Sequence, residues 1–444
     1  MEPEHSIKAN STGDTPTTPS APLQHSEHHL RRIRTNKQLA RSLVIAIGLL
    51  VAGFGIFAML HKEAPKESST SQGNHGPAQQ QQQGNFLSQY KDTCKDRKVS
   101  FTASPIPLAQ LGYIEPMGKV SDGHVTPTDH AYLSPKNQQV ADNTTDVVMP
   151  ADGTVVEIGA MPAEYIGDRQ QQTAPEDHRM VVSFNCQYFA IFIHIHKLSP
   201  ALANAVGSLE PNTQKRISVD LKAGDLLGKI GGNPVDYSLI DTKHTLAGFV
   251  SPELYRSESW KVNVIDPLSV YTGSLKNALQ DASLRTTAPF GGKIDYDKKG
   301  ALVGNWFRTG TNGYAGADQS RYWDGHLSIA PDYIDGKTAI VSIGNWKGKA
   351  AQFAVKGSFD PSTITKASGL VKAELISLSY NLPSGSPKIS PIGVKGMTVS
   401  QSGATAGTIV FKVLDNDNIQ VEKFIGKMPA EVSGFSSAMQ TYER

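Results

Sequence analysis

The sequence predicts a mainly β protein with a single N-terminal transmembrane helix and two β domains in series, the second of them β-sandwich-like. Three observations carry this prediction. Residues 42–60, "SLVIAIGLLVAGFGIFAML", form an apolar run without a charge, close to the roughly 20 residues that a helix needs to cross a bilayer. Beyond residue 85 the chain breaks into short apolar runs rich in β-branched residues and punctuated by Gly, Pro, Asn and Asp, with almost no helical periodicity. The length of 444 residues suffices for two or three separate cores.

The elements follow in order. Residues 1–41 are polar and rich in Ser, Thr and Pro, as expected of a disordered cytosolic tail. Arg31, Arg32, Arg34, Lys37 and Arg41 precede the apolar run, whereas Lys62 and Lys66 behind it are balanced by Glu63 and Glu67. The positive-inside rule therefore keeps the N-terminus in the cytosol and places the bulk of the chain outside. The charged lead is long and no small-x-small site follows the run, so a retained anchor is expected over a cleaved signal. Residues 61–86 contain "APKESSTSQGNHGPAQQQQQG", a low-complexity tether. A first β domain spans residues 87–273, a connector with a helix covers 274–288, and a second β domain of unassigned role fills 289–444.

The net charge is only +2 with the signs well mixed, so no basic stripe points to nucleic acid. The expected partners are the membrane, through the anchor, and peptidoglycan or an envelope peptide or protein outside it. Cys94 and Cys186 both fall on the outer side, where disulfides persist; a bridge and two buried thiols are the alternatives.

Within the first domain, "VVMPADGTVVEIG" (147–159) reads as two strands joined at Asp152-Gly153, the signal of a hairpin or a tight turn. "ISVDLKAGDLLGKIGG" (217–232) repeats the pattern, with Gly224 and Asp225 making the turn. "SPALANAVGS" predicts a short helix. In "YFAIFIHIHKLSP" (188–200) strict alternation points His194 and His196 to one face together with Phe192. Two imidazoles at the end of an apolar strand need hydrogen bonds, a metal or an open cleft. "GHVTPTDHAYL" (123–133) supplies His124, Asp129 and His130; zinc accepts neutral imidazoles and a carboxylate.

The order "GHVTPTDH", "PADGTVVEI", "FIHIHKLSP", "VDLKAGDLLGKIGG" resembles the lysostaphin/LytM-type zinc metallopeptidases over roughly residues 112–271. The resemblance implies a lysostaphin-like barrel-sandwich hybrid domain, a bound Zn2+ and hydrolysis of cell-envelope peptide. The family runs an H-x-x-x-D ligand motif, a "Y-x-H-L-S" strand with a catalytic His, and a final H-x-H whose second His binds zinc. On these motifs His196 matches the catalytic His, with His194 as the alternative. His124, with Asp129 or His130, stands at the first ligand motif. Where the final motif is expected the chain reads "PVDYSLID", which puts Pro234 at the first His and Asp236 at the zinc-binding His. Two readings follow: a divergent metallohydrolase using Asp236 as an oxygen ligand, or a catalytically degenerate module that binds or scaffolds envelope material. A biotinyl or lipoyl carrier is excluded, because the turn after "VVEIG" reads "AMP" without a modifiable Lys.

The other histidines carry blander expectations: His178 and His244 as solvated loop residues, His326 as a structural residue at a strand start. The aromatics of "GNWFRTGTNGY", with Trp323 and Trp346, offer either a sugar-stacking surface or the cover of a β-sandwich end.

Overall fold

The computed structural model describes residues 86–90, 92–161, 176–388 and 393–444. The expected cytosolic tail, the apolar run of residues 42–60 and the tether up to residue 85 lie outside the described residues. Among the described residues no helix is long and apolar enough to cross a membrane.

The first β unit contains β1 (Leu111–Glu115), β2 (Ala131–Pro135), β3 (Thr145–Val148), β4 (Gly153–Ala160), β5 (His178–Ser183) and β6 (Tyr188–Ile195). It continues with β7 (Lys197–Leu198), β8 (Gln214–Leu221), β9 (Leu226–Ile230), β10 (Val235–Asp241) and β11 (Val264–Ile265). A large sheet runs β1-β2-β10-β6-β5-β4-β8 with β11 on β10, and a small one runs β3-β9-β7. The large sheet is covered on both faces, which is why β6 is apolar from Phe189 to Ile193. Ala190, Phe192 and Ile195 enter one core with Met149, Leu227 and Tyr237. Phe189 and Ile191 enter another with Tyr255 and Phe307. The predicted helix forms as α1 (Pro200–Val206), and the connector helix as α2 (Gly273–Ala282).

Of the hairpin and the tight turn that Asp152-Gly153 signals, the structure has the turn. β3 pairs with β9, whereas β4 pairs with β5 and β8. Each of the two turns carries the chain from one sheet to the other, and the turns dock on each other. The Met149 amide donates to the Asp225 carbonyl at 2.9 Å and the Gly224 amide to the Met149 carbonyl at 2.8 Å. The Ala223 amide donates to Asp152 Oδ1 at 3.0 Å. Gly224 adopts φ 88°, a conformation that glycine takes without steric cost. The strands flanking each turn gain more by burying their apolar sides in the shared core than by pairing locally.

The second unit is also corrected, from sandwich to barrel. β12 (Gly304–Arg308), β13 (His326–Pro331), β14 (Ala339–Trp346), β15 (Lys349–Val355) and β16 (Leu370–Ser377) form consecutive antiparallel neighbours. β17 (Tyr380–Asn381), β18 (Pro387–Lys388) and β19 (Thr398–Val399) make a small separate sheet. β20 (Thr405–Val413), β21 (Asn418–Ile425) and β22 (Gln440–Glu443) complete the barrel, because β22 pairs with β12 as well as with β21. Closure removes both sheet edges. Trp306 and Trp346 belong to the barrel core, so neither is a sugar platform.

Cys94 and Cys186 form a disulfide that spans 92 residues of sequence. His178 departs from its expected loop: it opens β5, is buried, and its Nδ1 lies 2.9 Å from the Ile195 carbonyl oxygen. His244 is exposed beside a turn, as expected.

Candidate metal centre

The site forms on one face of the large sheet, where β2, β10 and β6 run side by side. Asp236 on β10 pairs in register with Tyr132 on β2 and with Ile193 on β6, so these three side chains share a face. His130 lies two residues before Tyr132. By strict alternation His194, next to Ile193, would point into the opposite core.

A bulge prevents that. His178 pairs with Ile195 but Arg179 pairs with Ile193, which leaves His194 as the extra residue. Its φ is 73°, in the left-handed region that a residue with a Cβ adopts only at a cost. Ile195 returns to the core that holds Ala190 and Phe192, so the alternation skips at His194. His194 thereby reaches Asp236, and the expectation that His194 and His196 share a face with Phe192 is overturned.

Two imidazoles converge on one carboxylate. His130 Nε2 and His194 Nε2 each lie 3.5 Å from Asp236 Oδ2. Each ring is held from behind by another carboxylate: His130 Nδ1 is 3.3 Å from Asp129 Oδ1, and His194 Nδ1 is 2.8 Å from Asp177 Oδ2. His130 and Asp236 are only 8 % and 5 % exposed. Among the described residues, His130 Nε2 and Asp236 Oδ1 are buried without a hydrogen-bond partner. Burial alone would lower the His130 pKa, but Asp236 and Asp129 outweigh it and hold it raised.

The remaining predicted site residues are distributed around this centre. Asp129 is held well below the usual carboxylate range although burial opposes this, because Lys261 and His130 stabilise its charge. Its oxygens are engaged: Lys261 Nζ donates to Oδ1 at 2.8 Å and Trp260 Nε1 to Oδ2 at 2.7 Å. The His124 ring meets the His130 ring edge-on at 5.8 Å between centroids and is exposed to solvent. Surrounding protein, then the charges of His130 and Lys261, push its pKa down. Trp323 of the barrel packs on Gly123, where an added Cβ would meet its ring at 3.2 Å. His196 is buried, with Nδ1 3.1 Å from Asp142 Oδ1. Pro234 stands just before β10 and leaves no imidazole there.

The donor set His130, His194, Asp236 suits zinc, whose four-coordinate ligands at bonds of about 2.0–2.2 Å stand roughly 3.3 Å apart. The two imidazole-to-carboxylate separations match that spacing. Among the described residues no three such side chains are already drawn around one point, so the rings would have to adjust on loading. The carboxylates behind both rings are the supports that metal-binding histidines need. Two of the groups that matter here, Asp177 and Lys261, carried no signal in the sequence, since each becomes relevant only through contacts formed by the fold.

Cavity size does not locate the site. A surface cavity of about 770 Å³, lined by Phe101, Tyr188, Asp266 and Lys293 among others, contains none of these residues. One of about 500 Å³ is bordered by Asp177 and His178, immediately behind His194.

No family model and no curated protein matches the chain. Among solved structures, the NMR solution structure of lysostaphin aligns at 9 % identity over 71 % of this chain and 80 % of that one, with a TM-score of 0.17. An overlap that poor carries no argument about fold or chemistry, and the resemblance to that family rests on the motifs quoted above.

Proposed function

We propose that this chain is a membrane-anchored, extracytoplasmic protein that holds a divalent metal ion, zinc by donor chemistry, through His130, His194 and Asp236, and hydrolyses peptide or peptidoglycan of the cell envelope. The observation that carries the reading is the convergence of two carboxylate-supported imidazoles on Asp236 at 3.5 Å, with buried His130 Nε2 making no hydrogen bond among the described residues. Buried polar atoms without partners are rare and call for an explanation. The disulfide supports the outer, oxidising compartment.

His130, His194 and Asp236 would hold the ion, which would supply Lewis-acid polarisation of a substrate carbonyl and a more acidic water. The chain's own groups supply the rest. Asp129 and Asp177 fix the ring orientations of His130 and His194. His196, two residues beyond His194, has its Nδ1 held by Asp142, the arrangement that prepares the opposite nitrogen to take a proton. His124, exposed beside His130, is placed to meet an incoming peptide.

The depth of the centre favours a second reading, a catalytically degenerate envelope-binding module, because His130 and Asp236 leave little open surface for a substrate. Elemental analysis of the purified protein, with cross-linked peptidoglycan and peptides as substrates, separates the two. About one zinc per chain and hydrolysis, both lost in Asp236→Ala, supports the hydrolase. Metal without hydrolysis, with polymer binding retained in Asp236→Ala, supports the binder. No metal after reconstitution sinks the metal centre.

A further inference from the structure

We infer that Lys261 and Trp260 are positioning residues of this centre, acting through Asp129 on the His130 ring, and that the barrel holds Lys261 in place through Tyr314. The inference rests on the reading of His130 as a metal ligand and adds what keeps that ligand aimed.

Asp129 and Lys261 are each 5 % exposed, so their pair is deep inside the protein. A buried ammonium is tolerated only when its charge is met on several sides. Lys261 Nζ lies 2.8 Å from Asp129 Oδ1, 3.0 Å from Glu258 Oε2 and 4.9 Å from the centre of the Tyr314 ring. Tyr314 belongs to the second unit, stacked on Tyr255 and 5.2 Å from the His326 ring. Trp260, the preceding residue, donates its indole N–H to the other oxygen of Asp129 at 2.7 Å. With one donor on each oxygen, the carboxylate cannot rotate about its last bond. Oδ1 is therefore kept toward His130 Nδ1, and the opposite nitrogen stays directed at Asp236. Both donors come from one helical segment, Pro252–Asn263, which sits between the large sheet and the barrel. The ligand loop of the first unit is thus braced by Trp260 and Lys261, and Lys261 is met by Glu258 on one side and by Tyr314 of the second unit on another.

The rival account is a buried ion pair that stabilises the fold and does nothing for the centre. Cobalt(II) distinguishes them, because its visible absorption reports ligand identity and geometry. The full-length protein, in detergent, would be loaded with Co2+, its spectrum recorded, and its Zn2+ affinity measured by chelator competition. Trp260→Phe keeps an aromatic ring and removes one N–H; Lys261→Met removes the ammonium, and Lys261→Arg restores a charged donor. The expected result is a 10- to 100-fold loss of affinity, the range for groups that support a ligand, with a shifted Co2+ spectrum in Trp260→Phe and Lys261→Met and substantial recovery in Lys261→Arg. If Lys261→Met fails to fold, Trp260→Phe alone decides. Unchanged affinity and spectrum in Trp260→Phe, beside a wild type that binds Co2+, overturns this inference and leaves the metal centre standing. A wild type that binds no Co2+ overturns both.

Discussion

Each β unit buries a histidine whose surroundings are the opposite of the other's, His130 in the first and His326 in the second. His326, at the start of β13, is 1 % exposed and sits among the rings of Phe307, Tyr314 and Tyr322. Its Nε2 lies 3.1 Å from the Tyr314 carbonyl oxygen, and burial pushes its pKa down to about 3. His130, before β2, is 8 % exposed and stands between two carboxylates that hold its pKa raised against the effect of burial. Its Nε2 has no hydrogen-bond partner among the described residues. Depth therefore does not separate a histidine whose polar atoms are all used by packing from one at the proposed centre. What separates them is whether packing has used every polar atom or has left one aimed at other donors.

The comparison can be broken most directly at Asp236. Asp236→Ala is expected to abolish metal binding while leaving the barrel intact, measured by elemental analysis together with near-UV circular dichroism. His326→Ala should do the reverse. It leaves metal content at the wild-type level and costs about 3 kcal/mol of stability in urea denaturation, the scale for emptying an aromatic-lined core position. Equal loss of metal in both variants would erase the distinction.

The same contrast has a pH signature. His326 has a folded-state pKa near 3, below the roughly 6.5 of an unfolded histidine, so the folded protein binds fewer protons. Its contribution is lost as pH falls from about 6.5 toward 3, by up to about 1.4 kcal/mol per pH unit. His130 has the opposite sign: its raised folded pKa stabilises below the unfolded value, and that stability disappears as pH rises through the folded one. Denaturation of metal-free protein at several pH values should show a shallower acid-side loss in His326→Gln than in wild type. An identical slope would mean that the buried imidazole is not what acid attacks.

The smallest effect concerns the bulge. His194→Gly removes the Cβ from a residue at φ 73° and should raise stability by up to about 1 kcal/mol, while removing one metal donor. A destabilised variant would show that the His194 contacts outweigh the backbone cost.

Much of this protein is readable before folding is considered. The turns at Asp152-Gly153 and Gly224-Asp225, the helices at Pro200–Val206 and Gly273–Ala282, and the apolar β6 all follow from local composition and periodicity. So do the residue types of the centre, since His124, Asp129, His130, His194 and Asp236 were all marked by their place in quoted motifs. Three of them meet, and Asp129 supports the meeting from behind. The errors share one cause. The sandwich-like second domain and the common face for His194 and His196 were each inferred from neighbours in sequence, and each was decided by a partner far away.

The sequence by itself determined a β-rich chain, its turn positions and the chemistry that its histidines and carboxylates offer, because propensity and alternation act over a few residues. Tertiary structure alone decided which strands pair. Burial in a shared core sends β3 to β9, and β22 closes on β12 across the barrel. It also decided the bulge, which appears only because β5 and β6 slip by one residue at His194. Finally, it brought Lys261 and Trp260 to Asp129 over separations of 132 and 131 residues. Such contacts are selected by what the whole core gains from them, and a local pattern carries no record of that gain.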